Sequence, residues 1–306
     1  MPFAERFRRQ VRLLIRTLPA LAAEDCFAMK GGTAINLFVR DMPRLSVDID
    51  LTYLPVESRE ASLAGIEGAL VRVRDRILRG LAATRVQAST TREGTINKLV
   101  VRQEDAQVKI EVTPVLRGCV FDPAVRSVTA EVEEAFGFGE MRVVSFEDLY
   151  AGKIVAALDR QHPRDLFDVR DLLAHEGVDM RLRQAFLVYL ISHNRPMAEV
   201  LAPHRKDIAD VFEQGFVGMA SVPVTLDSLL DAREALIGEV VEKMPEEHRE
   251  FLVSFEVGEP EWDLLALDVA PDLPAVRWRR QNLDELNAEA RERLVRSLAG
   301  VLGVSV

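Results

Sequence analysis

The segment VDIDLTY, residues 47–53, alternates strictly between apolar and polar side chains. A period of two residues is typical of a β-strand with one buried face and differs from the 3.6-residue period of an amphipathic helix. Because residues two apart in a strand project to the same side, Asp48 and Asp50 are predicted to share one face of a sheet. Val47, Ile49 and Leu51 would then face the core.

The remaining segments combine strands with helices. The segment QVKIEVT alternates in the same way, and Pro114 ends it. Further strands are predicted at residues 84–90 and 96–103, and helices at residues 3–23, 57–84 and 145–176, the last interrupted at 161–163. These elements predict an α+β fold with a small mixed sheet and flanking helices. We expect a core over residues 1–175 and a mainly helical C-terminal region over residues 176–306.

The charge distribution excludes one broad class of nucleic-acid-binding protein. The 306 residues carry a formal net charge of −10. Residues 201–306 hold 11 Lys/Arg and 21 Asp/Glu, whereas residues 1–200 hold 28 of each. A generally basic protein that coats nucleic acid is therefore excluded, but a local basic patch on the neutral part of the chain is not.

Cysteine use and hydropathy predict a cytoplasmic protein. Cys26 and Cys119 are the only cysteines, and they fit neither a metal-ligand pattern nor a disulfide framework. No run of about 18 uncharged apolar residues occurs, so we expect no membrane span. The first residues lack the apolar segment of a secretory signal. The glycine motifs of P-loop NTPases, Rossmann dehydrogenases and α/β-hydrolases are absent.

The paired aspartates suggest a metal site. Two adjacent carboxylates raise each other's pKa, and a divalent cation between them removes that cost. Mg²⁺ prefers oxygen ligands and is commonly held by one or two carboxylates together with substrate phosphates. A solvent-facing strand would explain Asp48 and Asp50 as well, although Asp is disfavoured in strands.

Two further features fit the same chemistry. Gly31-Gly32-Thr33 lies between a predicted strand and a predicted helix, where a glycine turn lets the backbone approach a phosphate. Glu111, on the polar face of QVKIEVT, could supply a third carboxylate. Each also has an ordinary explanation, as a plain turn and as a surface glutamate.

Together these elements resemble the nucleotidyltransferase fold of DNA polymerase beta-like enzymes, and more closely the AbiEii/AbiGii toxin family of type IV toxin–antitoxin systems. Two segments carry the resemblance: KGGTAINLFVRDMPRLSVDIDL at residues 30–51 and SFEDLYAGKIVAALDRQHPRDLFDVRDLL at residues 145–173. The stretch at 245–282 also looks like the long members of that family. The resemblance thus covers most of the chain.

The resemblance implies a set of site residues. Asp48, Asp50, Lys153 and Asp168 would be catalytic, and Asp48, Asp50 and Glu111 would hold Mg²⁺ or Mn²⁺. The nucleotide would contact Gly31, Gly32, Thr33 and Asp165. Arg44 and Ser46 precede the aspartate pair and could also touch phosphate, although a plain junction between a loop and a strand explains them as well. Without the resemblance, ordinary surface charge on a helix, with Arg164 and Asp168 as a pair, is the preferred explanation of Lys153 and Asp168.

The predicted function is Mg²⁺-dependent transfer of a nucleotide from an NTP to an acceptor, which the resemblance suggests is tRNA. The resemblance also implies a toxin and a separately encoded antitoxin partner. The alternatives are an NTP-binding growth inhibitor without transfer activity, and nucleotidyl transfer to a protein or a small molecule. The cluster from Arg277 to Arg280 leaves two interpretations open. Trp278 packs in the core with solvated arginines, or it stacks on RNA.

Overall fold

The computed structural model describes residues 4–91 and 94–305. Over these residues the strands are β1 (Phe27–Lys30), β2 (Ile49–Tyr53), β3 (Thr84–Thr90), β4 (Ile96–Gln103), β5 (Ala106–Val112), β6 (Ala124–Ser127) and β7 (Glu140–Val143). The helices of the N-terminal half are α1 (Glu5–Ala22), α2 (Gly31–Ala34), α3 (Arg59–Gly80) and α4 (Ala130–Phe136), and α2 continues into a π-helical turn at Ile35–Val39.

The later helices are α5 (Phe146–Arg160), α6 (Pro163–His175), α7 (Met180–Ile191), α8 (Met197–Leu201), α9 (Ala209–Gly215), α10 (Leu226–Ile237), α11 (Glu246–Val257), α12 (Trp262–Leu265), α13 (Pro274–Asp284) and α14 (Ala288–Leu302). A π-helical turn at Gly238–Glu242 follows α10, and a 3-10 turn at Ala270–Asp272 precedes α13.

The strands over the described residues form one mixed sheet in the order β3-β4-β5-β2-β1-β7-β6. The central strand β2 pairs antiparallel with β1 and parallel with β5. Helices α1 and α3 pack against this sheet. The apolar side chains of β2 and β5, including Ile49, Leu51, Val108 and Ile110, are completely buried. The predicted α+β fold with a mixed sheet and flanking helices is confirmed.

Most predicted elements are observed at the predicted places. Strands β3 and β4 have the predicted bounds, and β5 is shifted by one residue. The helix predicted at 3–23 is observed as α1, while Phe3 lies outside the described residues. Its Pro19 lies inside the helix. The interruption predicted at 161–163 separates α5 from α6, where Gln161 has a left-handed φ of 53°.

The chain forms two compact units. The sheet unit contains residues 1–145 and 218–223, and the helical unit contains residues 146–217 and 224–306. Helices α5 and α6 therefore belong by their contacts to the helical unit, and the functional division at residue 175 stays a prediction. Among the described residues, no helix combines the length and hydropathy that a membrane crossing requires.

Candidate active site

The glycine turn lies between β1 and β2 on the sheet unit. Gly31 has a φ of 77°, a left-handed conformation that favours glycine. A Cβ at Gly31 would lie 2.9 Å from Oδ2 of Asp50. The turn and the second aspartate are therefore in direct contact, and glycine at position 31 is required by both backbone conformation and space.

Arg44 lies beneath this turn. Its side chain is buried, and a Cβ at Gly32 would collide with the guanidinium. Nη1 of Arg44 donates to the carbonyl of Leu45 at 3.0 Å, and its backbone N–H donates to Oδ1 of Asn36 at 3.2 Å. Arg44 is thus a buried, fixed positive charge next to Gly32, and not a cation exposed to solvent.

Hydroxyl groups connect the turn to the segment that precedes β2. Oγ1 of Thr33 donates to the backbone carbonyl of Asp48 and lies 2.9 Å from Oγ of Ser46. Because Thr33 uses its proton on that carbonyl, Ser46 is the donor between the two hydroxyls. The buried Thr33 therefore fixes Asp48 relative to the glycine turn.

Strand register brings acidic and basic side chains into one row. Asp50 of β2 is opposite Glu111 of the parallel strand β5 and opposite Lys30 of β1. Lys98 of β4 is opposite Glu111. Directly paired residues share a face of the sheet, so Lys98, Glu111, Asp50 and Lys30 follow one another across four strands.

Lys109 lies beside this row and contacts two of the predicted metal ligands. Its Nζ is 3.5 Å from Oδ2 of Asp48 and 3.3 Å from Oε2 of Glu111. Nζ of Lys98 is 3.5 Å from the same Glu111 oxygen. We call Asp48, Asp50 and Glu111, together with Lys30, Lys98 and Lys109, the carboxylate face.

The carboxylate face shifts the ionisation of two of its members. Burial raises the pKa of the Asp50 carboxyl, and the negative charges of Asp48 and Glu111 act in the same direction against the attraction of Lys30. Burial lowers the pKa of Lys109, but the attraction of Asp48 and Glu111 outweighs it, so that this pKa is raised. Lys109 therefore remains an ammonium group at neutral pH.

The donor set of the face suits a hard divalent cation. Asp48 and Asp50 offer carboxylate oxygens, and the lack of a Cβ at Gly31 leaves room for the Asp50 carboxylate against the turn. Within the described parts of the chain, no three His, Cys, Asp or Glu side chains converge in a ready-made metal-binding group. A cation held here would consequently take part of its coordination from a substrate or from water.

The helical unit contains the other predicted catalytic residues. Lys153 on α5 places Nζ 2.9 Å from Oδ1 of Asp165 and 3.0 Å from Oδ2 of Asp168. Asp165 and Asp168 lie three residues apart on α6, so they present their carboxylates on one face, as predicted. Arg160 also binds Asp165, at 2.8 Å. We call these four residues the α5–α6 cluster.

Chain direction explains the cluster. Pro163 begins α6, and His162 accepts a hydrogen bond from the backbone N–H of Arg164 as its N-cap. This break turns α6 back along α5, which buries Lys153, Asp165 and Asp168 to less than a tenth exposed. Each buried charge therefore has a close partner of opposite sign.

Two features of these regions differ from the sequence interpretation or were missed by it. Trp278 on α13 is 56% exposed, so the prediction that it packs in the core is wrong. Its neighbour Arg279 instead turns inward toward the buried Glu256, at 3.5 Å.

The lysines of the carboxylate face were missed, although the alternation of β5 already places Lys109 on the same side as Glu111.

Comparisons with known proteins show the family and the fold. A comparison with curated protein sequences finds no match. The solved structure of MenT4, a nucleotidyltransferase toxin from Mycobacterium tuberculosis H37Rv, is similar, with a TM-score of 0.59 and 15% identity over 96% of this chain and 91% of that chain. At that identity the likeness supports the fold. The profile of the family described as "Nucleotidyl transferase AbiEii toxin, Type IV TA system" matches residues 12–281. The chain therefore belongs to the AbiEii family of nucleotidyltransferase toxins of type IV toxin–antitoxin systems.

Proposed function

We propose that this nucleotidyltransferase moves a nucleotide from an NTP to a tRNA and that Asp48 and Asp50 hold the Mg²⁺ (or Mn²⁺) the reaction needs. The observation that carries the proposal is the contact between the glycine turn and the aspartate pair. Asp50 packs against Gly31, and Asp48 is fixed through Thr33. Phosphate-binding backbone and metal-binding carboxylates are thereby within reach of one triphosphate.

The chemistry is an in-line displacement at phosphorus. An acceptor hydroxyl attacks the α-phosphorus, the bond from the α-phosphorus to the oxygen bridging the β-phosphate breaks, and pyrophosphate leaves. The proton of the hydroxyl passes to solvent. A divalent cation at Asp48 and Asp50 would neutralise the charge that develops on the phosphate oxygens.

The chain's own residues position the nucleotide. Backbone N–H groups at the glycine turn donate to phosphate oxygens, and the fixed charge of Arg44 behind the turn favours an anion there. Ser46 and Thr33 keep the turn aligned with Asp48. Since phosphoryl transfer depends mainly on positioning and charge neutralisation, this alignment supplies much of what the reaction requires.

The resemblance also assigns Lys153 and Asp168 to catalysis and Asp165 to nucleotide binding, and these assignments stay predictions. Lys153 also pairs with both of these carboxylates in the helical unit. Lys153→Arg retains the charge but changes its reach. If Lys153 acts on the nucleotide, this variant should remain folded and lose transfer activity, as measured with labelled NTP.

An exposed aromatic residue supports an RNA acceptor. Trp278 on α13 is 56% exposed, while the neighbouring Arg277 is paired with Asp272 at 2.6 Å. Exposed aromatic rings are typical of surfaces that stack single-stranded bases, such as the end of a tRNA acceptor arm. Trp278→Ala should weaken tRNA binding by about tenfold, within the range of one lost base stack, and Trp278→Phe should retain most of the affinity.

The proposal includes a partner and a compartment. A type IV toxin implies a cognate antitoxin, which would be encoded separately. NTPs and tRNA are cytoplasmic molecules, so we place the activity in the cytoplasm.

A transfer assay tests the proposed function. The purified protein would be incubated with Mg²⁺, total tRNA and each of the four NTPs labelled at the α-phosphate, with Asp50→Asn as the control. We expect label in tRNA with the unaltered chain and none with the variant. Label in a protein or small molecule would refute the tRNA acceptor. NTP binding without transfer to any acceptor would favour an inhibitor that acts by binding alone.

A further inference from the structure

The sheet face that bears Glu111 continues beyond it toward the edge strand β3. Because residues two apart in a strand project to the same side, Gln107 of β5 shares its face with Lys109 and Glu111. Strand register then places Arg102 of β4 opposite Gln107, and Arg85 of β3 opposite Arg102. Four exposed side chains of this region form what we call the arginine face: Arg85, Gln87, Arg102 and Gln107.

Two glutamines hold Arg102 in place. Its Nε donates to Oε1 of Gln107 at 2.8 Å, and its Nη1 donates to Oε1 of Gln87 at 3.1 Å. A guanidinium group only donates hydrogen bonds, so each glutamine must turn its oxygen toward Arg102 and keeps its NH₂ group for another acceptor. The three side chains therefore present mainly N–H donors to a ligand.

The two arginines of this face carry charges that no carboxylate neutralises. Over residues 4–91 and 94–305, neither Arg85 nor Arg102 forms an ion pair. By contrast, Arg9 of the nearby helix α1 is paired with Asp105 at 2.6 Å. Like charges directly opposite each other destabilise a sheet. The opposition of Arg85 and Arg102 is therefore better explained by a bound anion than by a contribution to the fold.

The arginine face is continuous with the proposed active site. Along β5, Gln107 is followed on the same side by Lys109 and then by Glu111. Strands rise about 3.3 Å per residue, so Gln107 and Glu111 are about 13 Å apart. Successive nucleotides of a helical strand rise about 3.4 Å each. A nucleic acid whose end lies at the carboxylates would thus place its backbone on the arginine face about four nucleotides away.

We propose that the arginine face binds the phosphodiester backbone of the acceptor RNA, about four nucleotides from the hydroxyl that reacts. The inference rests on the proposed function, because it concerns the acceptor used there. Phosphate oxygens are negatively charged and only accept hydrogen bonds, which matches a surface of guanidinium and amide donors. Contacts of this kind position a nucleic acid without reading its sequence. The arginine face therefore sets the path of the acceptor toward Asp48 and Asp50.

The salt dependence of tRNA binding tests the inference without any activity measurement. Binding of labelled total tRNA to the full chain would be followed by fluorescence anisotropy over a series of NaCl concentrations. The variants are Arg85→Gln and Arg85→Gln/Arg102→Gln, with Arg126→Gln as the matched control. Arg126 is also an exposed arginine on an edge strand of the sheet, β6. It is paired with the buried Met141 and lies on the opposite face.

Each lost phosphate contact should reduce the slope of log affinity against log NaCl concentration by roughly 0.7–0.9. We expect that reduction in Arg85→Gln, about twice that reduction in the double variant, and none in Arg126→Gln. At low salt, each lost contact should weaken tRNA binding by about tenfold, as is typical of a hydrogen bond to a charged group. Binding of each Mg²⁺–NTP should be unchanged, and the melting temperature of Arg85→Gln should not fall, because the substitution relieves a like-charge pair.

An unchanged slope in the double variant, or an equal reduction in Arg126→Gln, would overturn the inference. Loss of NTP binding together with tRNA binding would also overturn it, because the arginine face would then serve the nucleotide or the fold. If the unaltered chain bound no tRNA, that result would instead refute the tRNA acceptor of the proposed function, on which the inference rests.

Discussion

The carboxylate face and the α5–α6 cluster both combine lysine with acidic side chains, but their ion pairs differ in distance and in exposure to solvent. On the sheet, Lys109 lies 3.3–3.5 Å from its partners and is about one third exposed. Between the helices, Lys153 lies 2.9–3.0 Å from two buried carboxylates. The first arrangement leaves charges that an ion or a phosphate can still use. The second is already neutralised, so its removal should affect stability first.

The largest expected effect follows from Lys153→Met. The substitution removes the ammonium group that lies between the buried carboxylates of Asp165 and Asp168. Loss of one partner of a buried ion pair typically costs about 3–5 kcal/mol of unfolding free energy. Urea unfolding followed by circular dichroism measures it.

A triple variant provides the control for that loss. Lys153→Met/Asp165→Asn/Asp168→Asn removes the two buried carboxylate charges together with the ammonium group, so it should recover most of the lost stability. If Lys153→Met cost less than about 1 kcal/mol, the cluster would behave like a surface pair and the contrast would fail.

Gly32→Ala should destabilise the protein, because the sheet unit is tightly packed at the glycine turn even though the charged groups of the carboxylate face are accessible. The new methyl group would displace the buried guanidinium of Arg44. Such overpacking typically costs about 1–3 kcal/mol. Thermal unfolding measures the loss, and Gly80→Ala is a suitable control because no atom lies within 4 Å of its Cβ position. Equal melting temperatures for the two variants would contradict the packing beneath the turn.

Asp50→Asn should stabilise the fold at neutral pH. Because burial raises the pKa of Asp50, ionisation of this carboxyl lowers the free energy of unfolding. The destabilisation grows as the pH rises through the raised pKa. A gain of about 1 kcal/mol is typical of a single stabilising substitution. Melting curves in EDTA should show the gain at pH 8 and its disappearance below about pH 3.9, the ordinary Asp value. A gain independent of pH would exclude ionisation of Asp50 as the cause.

Lys98→Met should have the smallest effect. Lys98 and Glu111 are each about one third exposed, and their atoms lie 3.5 Å apart. Partly exposed pairs contribute roughly 0–1 kcal/mol, and salt screens them. The change in unfolding free energy should shrink further in 1 M NaCl, whereas that of Lys153→Met should not. A loss as large as that of Lys153→Met would remove the distinction between the two regions.

Sequence patterns predicted the elements more completely than the pairing of charges. The alternation in VDIDLTY and QVKIEVT was sufficient to place Asp50 and Glu111 on polar strand faces. Val47 and Asp48 were predicted to lie in the same strand, but β2 begins only at Ile49. The contact of Lys109 with Asp48 depends on β2 and β5 being parallel neighbours, although three other elements separate them along the chain. Such a register is set by the whole sheet and has no local signal.

The α5–α6 cluster could likewise be predicted only in part from the sequence. The spacing of Asp165 and Asp168 predicted a common helical face, which is confirmed by their shared contact with Lys153. Their burial was not predictable, because it depends on the direction that α6 takes after Pro163. The sequence left the core and the surface open as places for Trp278, because its environment on α13 is set by tertiary packing.

The central claim is that Asp48 serves chemistry and not stability, and one paired measurement on Asp48→Asn tests it. The Asp48 side chain is 52% exposed, so its unfolding free energy should change by less than about 0.5 kcal/mol. Nucleotide transfer from labelled NTP in Mg²⁺ should fall by about a thousandfold, as expected when a group that stabilises developing charge is removed. Transfer within a few-fold of the unaltered chain, with the fold intact, would contradict the account.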